Sequence, residues 1–385
     1  MKWLWILFGL IPCGLSAQSD YKPLKLEKAD EVENQRVDGR DVLKAIGHVQ
    51  FSHDTLSAWC DQSAFFRDLQ MALLLDHVVF NDRHRTIFCE KARYYAKVRK
   101  AVCQGNVIFV DQGTTLVADS LVYMQNTEQI FAQGSVVIFD SLESVAIYGE
   151  YGFYDVHRKY ASVKGNPRLV QYDSNYAIGQ NVALRSRGME SKALLNRYGL
   201  PDRYSPSDQL TASGRFVESF LDSNLVWIKD SVAITREKLV SRAEKARFNT
   251  KTELLEMFTK PTADYETNHM VGDHMRVQFN NKEISTIFVK GNATATSMVG
   301  SDSSRINRLT SKEMKMTIRN RVVDELEAEG NAYNRYFMEN QEGANEISGP
   351  SMILYFNKDG KLSTFKVIGG TQGTYFPESY AKKLK

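Results

Sequence analysis

The stretch that decides the fold is Gly105–Tyr123, GNVIFVDQGTTLVADSLVY, in which two alternating apolar runs flank a polar turn. Nearly the same pattern begins about 29 residues earlier at Asp76 and about 29 residues later at Gly134. A further copy begins at Gly47. Alternation with a period of two is typical of strands that bury one face. Its recurrence at a fixed spacing indicates a repeat architecture rather than a catalytic motif.

Apolar residues recur at the second and fourth positions after each origin, and alternate positions of a strand face the same way. These two columns comprise Val49, Phe51, Val78, Phe80, Val107, Phe109, Val136 and Ile138. After the turn of the opening stretch come Leu116 and Ala118, which we expect to form the opposite wall of the interior. Because a glycine inside a strand usually marks a bulge or bend, its repetition predicts a sheet folded along a line.

The pattern therefore predicts an all-β protein, an elongated antiparallel sheet built as one long or two consecutive segments. The first segment is expected over residues 18–184. Residues 185–213 contain two prolines and few β-branched residues, which predicts a linker or an irregular excursion. A second β segment is expected over 214–377, with a hairpin turn at Asp359–Gly360, and residues 378–385 form a C-terminal tail.

The first residues have the pattern of a secretory signal peptide. Lys2 precedes an almost wholly apolar run that ends at Leu15, and small residues follow up to Ala17. The run is shorter than the roughly 20 apolar residues that a membrane span requires. We therefore expect residues 1–17 to be cleaved and the mature protein to work outside the cytoplasm.

Composition excludes some classes of function and leaves one question about cysteines open. The formal net charge is +3, and no basic cluster predicts nucleic-acid binding. Three cysteines follow the signal peptide, and an odd number argues against a disulfide framework. Cys60 and Cys89 occupy the same column of the repeat, so they are either stacked small side chains or a bridge between neighbouring strands.

Signals of chemistry are weak, so we predict no catalytic residues, no metal site, no cofactor and no enzymatic activity. The histidines form no His-Glu-x-x-His pattern, and His48 and His77 are expected to face solvent. The acidic column Asp61, Glu90 and Asp119 adjoins an inward column and is therefore expected to point outward.

The residues alone leave three functions open. The apolar interior is either an ordinary filled core, as in a structural or adhesive β-repeat protein of the cell envelope, or an open channel for acyl chains. A third possibility is an enzyme acting on polysaccharide, for which Asp119 and Tyr123 come nearest to a carboxylate beside an aromatic ring.

Four stretches carry a resemblance to a known family. Gly105–Phe139, with its neighbouring copies Gly47–Phe66 and Asp76–Tyr95, resembles the OstA-like domain, and Gly349–Gly370 looks like the hairpin of the same family. That domain is shared by the periplasmic lipopolysaccharide-transport proteins LptA and LptC and by the N-terminal part of LptD. The resemblance implies a bent β-jellyroll in the periplasm whose apolar groove shields the acyl chains of lipid A between the two membranes.

The resemblance also implies partners and a ligand-facing wall. Other jellyroll proteins of the transport bridge, or further copies of the chain, would bind by adding to exposed edge strands. Association with the outer membrane is a further expectation. The groove would be lined by the inward columns: Val49, Phe51, Val78, Phe80, Val107, Phe109, Leu116, Val136 and Ile138.

Overall fold

The structure is a computed structural model that describes residues 22–172, 209–299, 302–338 and 343–381. The predicted signal peptide lies outside the described residues, as does the predicted linker up to residue 208. In the described ranges, no helix is long and apolar enough to cross a membrane.

The described residues form 26 strands joined into one antiparallel sheet. The strands before residue 173 are β1 (Lys25–Lys28), β2 (Glu31–Val37), β3 (Arg40–His53), β4 (Leu56–Phe66), β5 (Met71–Asp82), β6 (Arg85–Tyr95), β7 (Lys100–Asp111), β8 (Thr114–Met124), β9 (Gln129–Asp140), β10 (Val145–Asp155), β11 (Tyr160–Lys164) and β12 (Arg168–Gln171). Those after residue 208 are β13 (Leu210–Ser213), β14 (Phe216–Phe220), β15 (Leu225–Arg236), β16 (Leu239–Asn249), β17 (Leu254–Phe258), β18 (Thr262–Tyr265), β19 (Asn268–Val271), β20 (His274–Asn280), β21 (Glu283–Val299), β22 (Asp302–Arg319), β23 (Val322–Phe337), β24 (Ala344–Phe356), β25 (Leu362–Ile368) and β26 (Gln372–Phe376). Helical structure in these ranges comprises two 3-10 turns, Ala96–Val98 and Leu221–Ser223, and the helix α1 (Glu378–Ala381).

Each repeat bends at the predicted glycine. In β7, Gly105 and Asn106 both have left-handed φ angles, of 81° and 43°. The pairing of β7 with β8 shifts register between Gln104 and Val107, which is a bulge of two residues. The same pair of left-handed residues recurs at Gly134–Ser135, while Asp76–His77 shows that aspartate replaces the glycine in one copy. The prediction of a sheet folded along a line is confirmed.

The fold line divides the sheet into two leaves that face each other. The first leaf contains the turns at 54–55, 83–84, 112–113 and 141–144, and the second leaf contains the turns at 67–70, 96–99, 125–128 and 156–159. Across the interior, the ring of Phe109 in the first leaf faces that of Tyr154 in the second, with a centroid separation of 6.1 Å. One hydrophobic core runs between the leaves, and the all-β jellyroll prediction is confirmed.

The sheet continues from the first predicted segment into the second. Strand β12 pairs with β13, and β11 pairs with β14, so the two segments share one sheet. In the described range that starts at residue 209, strand β13 already begins at Leu210, four residues before the predicted boundary at 214, and Leu210 and Ala212 alternate inward like the strands around them. The hairpin predicted around Asp359–Gly360 is formed by β24 and β25.

The fold line yields a prediction for Gly105. Its φ of +81° strains any residue with a Cβ, and a Cβ there would lie 2.8 Å from the Cβ of Glu90. We expect Gly105→Ala to lower the free energy of unfolding by about 1–3 kcal/mol, measured by chemical denaturation. Gly39→Ala is the matched control, since Gly39 has a φ of +77° and a Cβ there would meet no atom within 4 Å. Equal losses of stability in the two variants would show that the close approach to Glu90 contributes nothing to the effect at Gly105.

Candidate functional site

The nine residues predicted to line the groove all face the interior. Their side chains are 0–4% exposed and belong to one core cluster: Val49, Phe51, Val78, Phe80, Val107, Phe109, Leu116, Val136 and Ile138. The structure therefore brings them together as one continuous apolar wall on the first leaf. Their contact with a lipid stays a prediction.

The expected arrangement of the two walls was wrong in one respect. Leu116 pairs directly with Phe109, and Ala118 pairs with Val107, so all four lie on the same leaf. The reason is that the turn at 112–113 joins neighbouring strands within one leaf. The opposite wall comes from the same strands beyond the fold line, where Leu121 and Tyr123 are buried.

The interior of the N-terminal part is filled by its own side chains. A space of about 10 Å³ remains beside Phe51 and Phe80, and one of about 20 Å³ lies between Ile138 and Val226. Each is about large enough for a single water molecule. In this conformation, the predicted wall is packed as a core.

A much larger cavity, of about 650 Å³, lies between the leaves near the C-terminal end. Its volume is within the range of small-molecule sites, roughly 300–1,000 Å³. The apolar lining side chains include Ala295, Leu309, Leu326, Leu354, Phe356 and Leu362, and the charged ones are Arg305, Arg308, Asp359 and Lys361. Sequence reasoning missed this site, because the inward alternation of these strands is the same as elsewhere.

The mouth is the side of the jellyroll on which the turns of the two leaves approach each other, and polar side chains cross it in the N-terminal part. The Tyr123 hydroxyl donates to Oδ2 of Asp82 at 2.8 Å. At the same pair of turns, Arg85 Nη2 contacts Oε2 of Glu128 at 2.9 Å. Towards the N-terminus, the Tyr94 hydroxyl lies 2.6 Å from Nδ1 of His53. The mouth is thus hydrogen-bonded from one leaf to the other.

Burial raises the pKa of several groups near the mouth. Desolvation raises the pKa of the Tyr94 and Tyr123 hydroxyls and raises that of Tyr154 to about 12. A tyrosine hydroxyl is protonated at neutral pH even without this shift, so these hydroxyls can donate. Desolvation also raises the pKa of Asp111, and the positive charge of Arg85 opposes that increase.

The cysteines are buried thiols within the core. Cys60, Cys89 and Cys103 are free, so of the two alternatives for Cys60 and Cys89 the structure has the stacked side chains. Burial raises the pKa of the Cys60 thiol to about 12. Such a thiol is protonated at neutral pH and unreactive as a nucleophile.

The polar columns on the outside follow the fold line. Asp61, Glu90 and Asp119 are exposed, as predicted. Nδ1 of His77 lies 2.7 Å from Oδ2 of Asp61, and Asn106 donates to Glu90 at 2.5 Å. Asp61 and Glu90 therefore pair with the left-handed residues of the neighbouring strand, which is a structural role.

Comparison with known proteins gives one family and one structural likeness. The model of the family described as OstA-like protein matches residues 22–124 and 92–178. No curated protein sequence matches the chain. Among solved structures, LptH, the LptA homologous periplasmic component of the lipopolysaccharide transport device of Pseudomonas aeruginosa, is 17% identical. That match covers 38% of this chain and 82% of LptH, with a TM-score of 0.27. The match to the OstA-like family covers residues 22–178.

Proposed function

We propose that this protein is a non-enzymatic, lipopolysaccharide transport-type protein of the periplasm, which holds acyl chains of lipid A between the leaves of its jellyroll. The match of residues 22–178 to the OstA-like family supports the class of function. Association with the outer membrane is part of the same proposal.

The observation that carries the proposal is the cavity of about 650 Å³ between the leaves. Leu309, Leu326 and Leu354 line it and also belong to the core cluster that runs through the whole jellyroll. An acyl chain in the cavity would therefore contact the same apolar interior that the nine predicted residues form further along. Those nine residues are proposed as the extension of the lipid path.

Energetics favour an acyl chain as the occupant. Burial of hydrocarbon contributes about 0.8 kcal/mol per CH₂, so a chain of about 12 carbons gains roughly 10 kcal/mol relative to water. The cationic side chains of Arg308 and Lys361 also line the cavity and suit an anionic lipid head group, whereas Arg305 is already paired with Glu378 at 2.6 Å.

The ends of the sheet supply surfaces for partners. In the described ranges β1 and β2 each pair only with β3, and β25 and β26 each pair only with β24. Such edges can accept a further strand. We propose that they join other jellyroll proteins of a transport bridge or a second copy of this chain, head to tail.

The test is site-specific photo-crosslinking to purified lipopolysaccharide. A diazirine analogue of leucine at Leu326, which lines the cavity and is 4% exposed, is expected to capture the lipid. The same group in place of Glu329, an exposed residue of the same strand, is the control and is expected to capture little. Equal capture at the two positions would contradict the proposal.

A second candidate function is a structural or adhesive β-repeat protein without a lipid ligand. The tight packing around Phe51, Phe80 and Ile138 favours it, since those spaces hold about one water each. It predicts no capture of lipopolysaccharide at Leu326 under any condition.

A further inference from the structure

The contacts across the mouth repeat with the sheet. Tyr94 follows its partner His53 by 41 residues, and Tyr123 follows its partner Asp82 by the same 41 residues. Each tyrosine of this column therefore reaches from the second leaf to the first-leaf turn of the preceding repeat. The two partners are 29 residues apart, as are the two tyrosines, so the same contact between the leaves is made in two successive repeats.

Further polar contacts reinforce the two tyrosines. Gln125 Nε2 donates to the Thr55 hydroxyl at 3.1 Å, and Arg85 donates to the Tyr123 hydroxyl at 3.2 Å. At the rim, Arg99 Nη1 lies 3.0 Å from Oδ2 of Asp54. We refer to this set as the clasp: His53, Asp54, Thr55, Asp82, Arg85, Tyr94, Arg99, Tyr123, Gln125 and Glu128.

The clasp lies directly over the predicted lipid wall. The Tyr94 ring packs on Phe80 with a centroid separation of 6.2 Å, and the Tyr123 ring packs on Phe109 at 6.4 Å. An acyl chain that enters from the side must part these rings and break their hydroxyl contacts. An acyl chain can replace the apolar contacts of the rings, but it cannot replace the hydrogen bonds of the hydroxyls. Breaking those hydrogen bonds is therefore the main barrier to entry.

We propose that the clasp is a side gate that keeps the N-terminal half of the jellyroll closed and opens when an acyl chain moves in from the mouth. This inference rests on the proposed function. The closed, filled interior is then the resting state, and the cavity near the C-terminal end is the part that stands open. Side chains freed from the clasp would be solvated at the rim while the chain takes the place of the packed core.

The test measures access of a simple apolar chain, radiolabelled dodecanoate, to the interior of the full chain. A diazirine analogue of leucine at Leu116, which is fully buried in the first leaf, reports entry. The double variant Tyr94→Phe/Tyr123→Phe keeps both rings and removes both hydroxyls, and it is expected to raise capture at least threefold. Tyr151→Phe, at an exposed tyrosine outside the clasp, is the control and is expected to leave capture unchanged.

A second arm locks the gate instead of loosening it. The rim pair Asp54→Cys/Arg99→Cys, bridged by a short bis-maleimide, is expected to reduce capture at Leu116 at least tenfold relative to the same variant before bridging. Each single-cysteine variant treated with the reagent is the control. The proposed gate would be overturned if neither the double tyrosine variant nor the bridged cysteine pair changed capture at Leu116. It would also be overturned if no variant showed capture at Leu116. Clasp-dependent capture of dodecanoate without capture of lipopolysaccharide at Leu326 would instead overturn the proposed function alone.

Discussion

Replacing Phe109 with alanine is expected to lower the free energy of unfolding by about 3–5 kcal/mol. The side chain is completely buried, and its ring packs against Tyr123 and Tyr154 of the opposite leaf at 6.4 and 6.1 Å. Truncation removes this contact between the leaves and leaves a cavity in a core that is otherwise filled. Urea denaturation monitored by circular dichroism measures the loss.

The matched control is Phe131→Ala. Phe131 is 48% exposed, and its ring packs at a tilt against Phe153, with a centroid separation of 5.2 Å, on the outside of the sheet. We expect its removal to cost about 1 kcal/mol or less. The comparison separates two descriptions of the interior. If Phe109 lined an open channel instead of a packed core, its truncation would cost no more than that of Phe131.

The sequence was sufficient to predict the general fold because the fold is periodic. The glycine origins gave the fold line, and the alternation around Val107 and Phe109 gave the buried face. Which residues oppose each other was harder to predict, and Leu116 was assigned to the wrong wall. A turn of two residues keeps both strands in the same leaf, whereas the change of leaf occurs inside a strand.

The clasp and the cavity were not predicted, for different reasons. The tyrosine column at 94 and 123 is visible in the sequence, but its partners His53 and Asp82 lie 41 residues away, which is not a multiple of the repeat. The cavity near the C-terminal end depends on how far apart the two leaves stand. That separation reflects strand bend and length, and alternating apolar residues such as Leu309 and Leu326 look the same in a closed or an open part.

Arg85 is the charged residue whose removal we expect to destabilise the fold most. Its side chain is 13% exposed and lies 2.9 Å from Glu128 and 4.0 Å from Asp111, while it also donates to Tyr123. Loss of one partner from a largely buried ion pair leaves an uncompensated charge and costs about 3–5 kcal/mol. Arg85→Met keeps much of the apolar stem, so its loss of stability reports mainly the charge.

The pH dependence of that loss identifies its cause. Burial already raises the pKa of Asp111 in the folded state, and Arg85 opposes this, so Arg85→Met raises the pKa further. An acid with a higher pKa in the folded than in the unfolded state binds more protons when folded, so its contribution to stability falls as the pH rises through that interval. The loss of stability in Arg85→Met should therefore be greatest at neutral pH. It should become smaller as the pH is lowered towards the ordinary aspartate pKa near 3.8.

Arg83→Met is the control for this series, because Arg83 is 61% exposed and its nearest carboxylate oxygen, on Glu128, is 3.7 Å away. An exposed pair of that kind contributes at most about 1 kcal/mol. A deficit for Arg85→Met that stays constant between pH 7 and about pH 4 would mean that the lost packing of the guanidinium, and not its charge, holds this part of the mouth together. A deficit that shrinks in acid would instead show that the mouth is stabilised by a cation neutralising buried carboxyl groups, so that its closure depends on their ionisation.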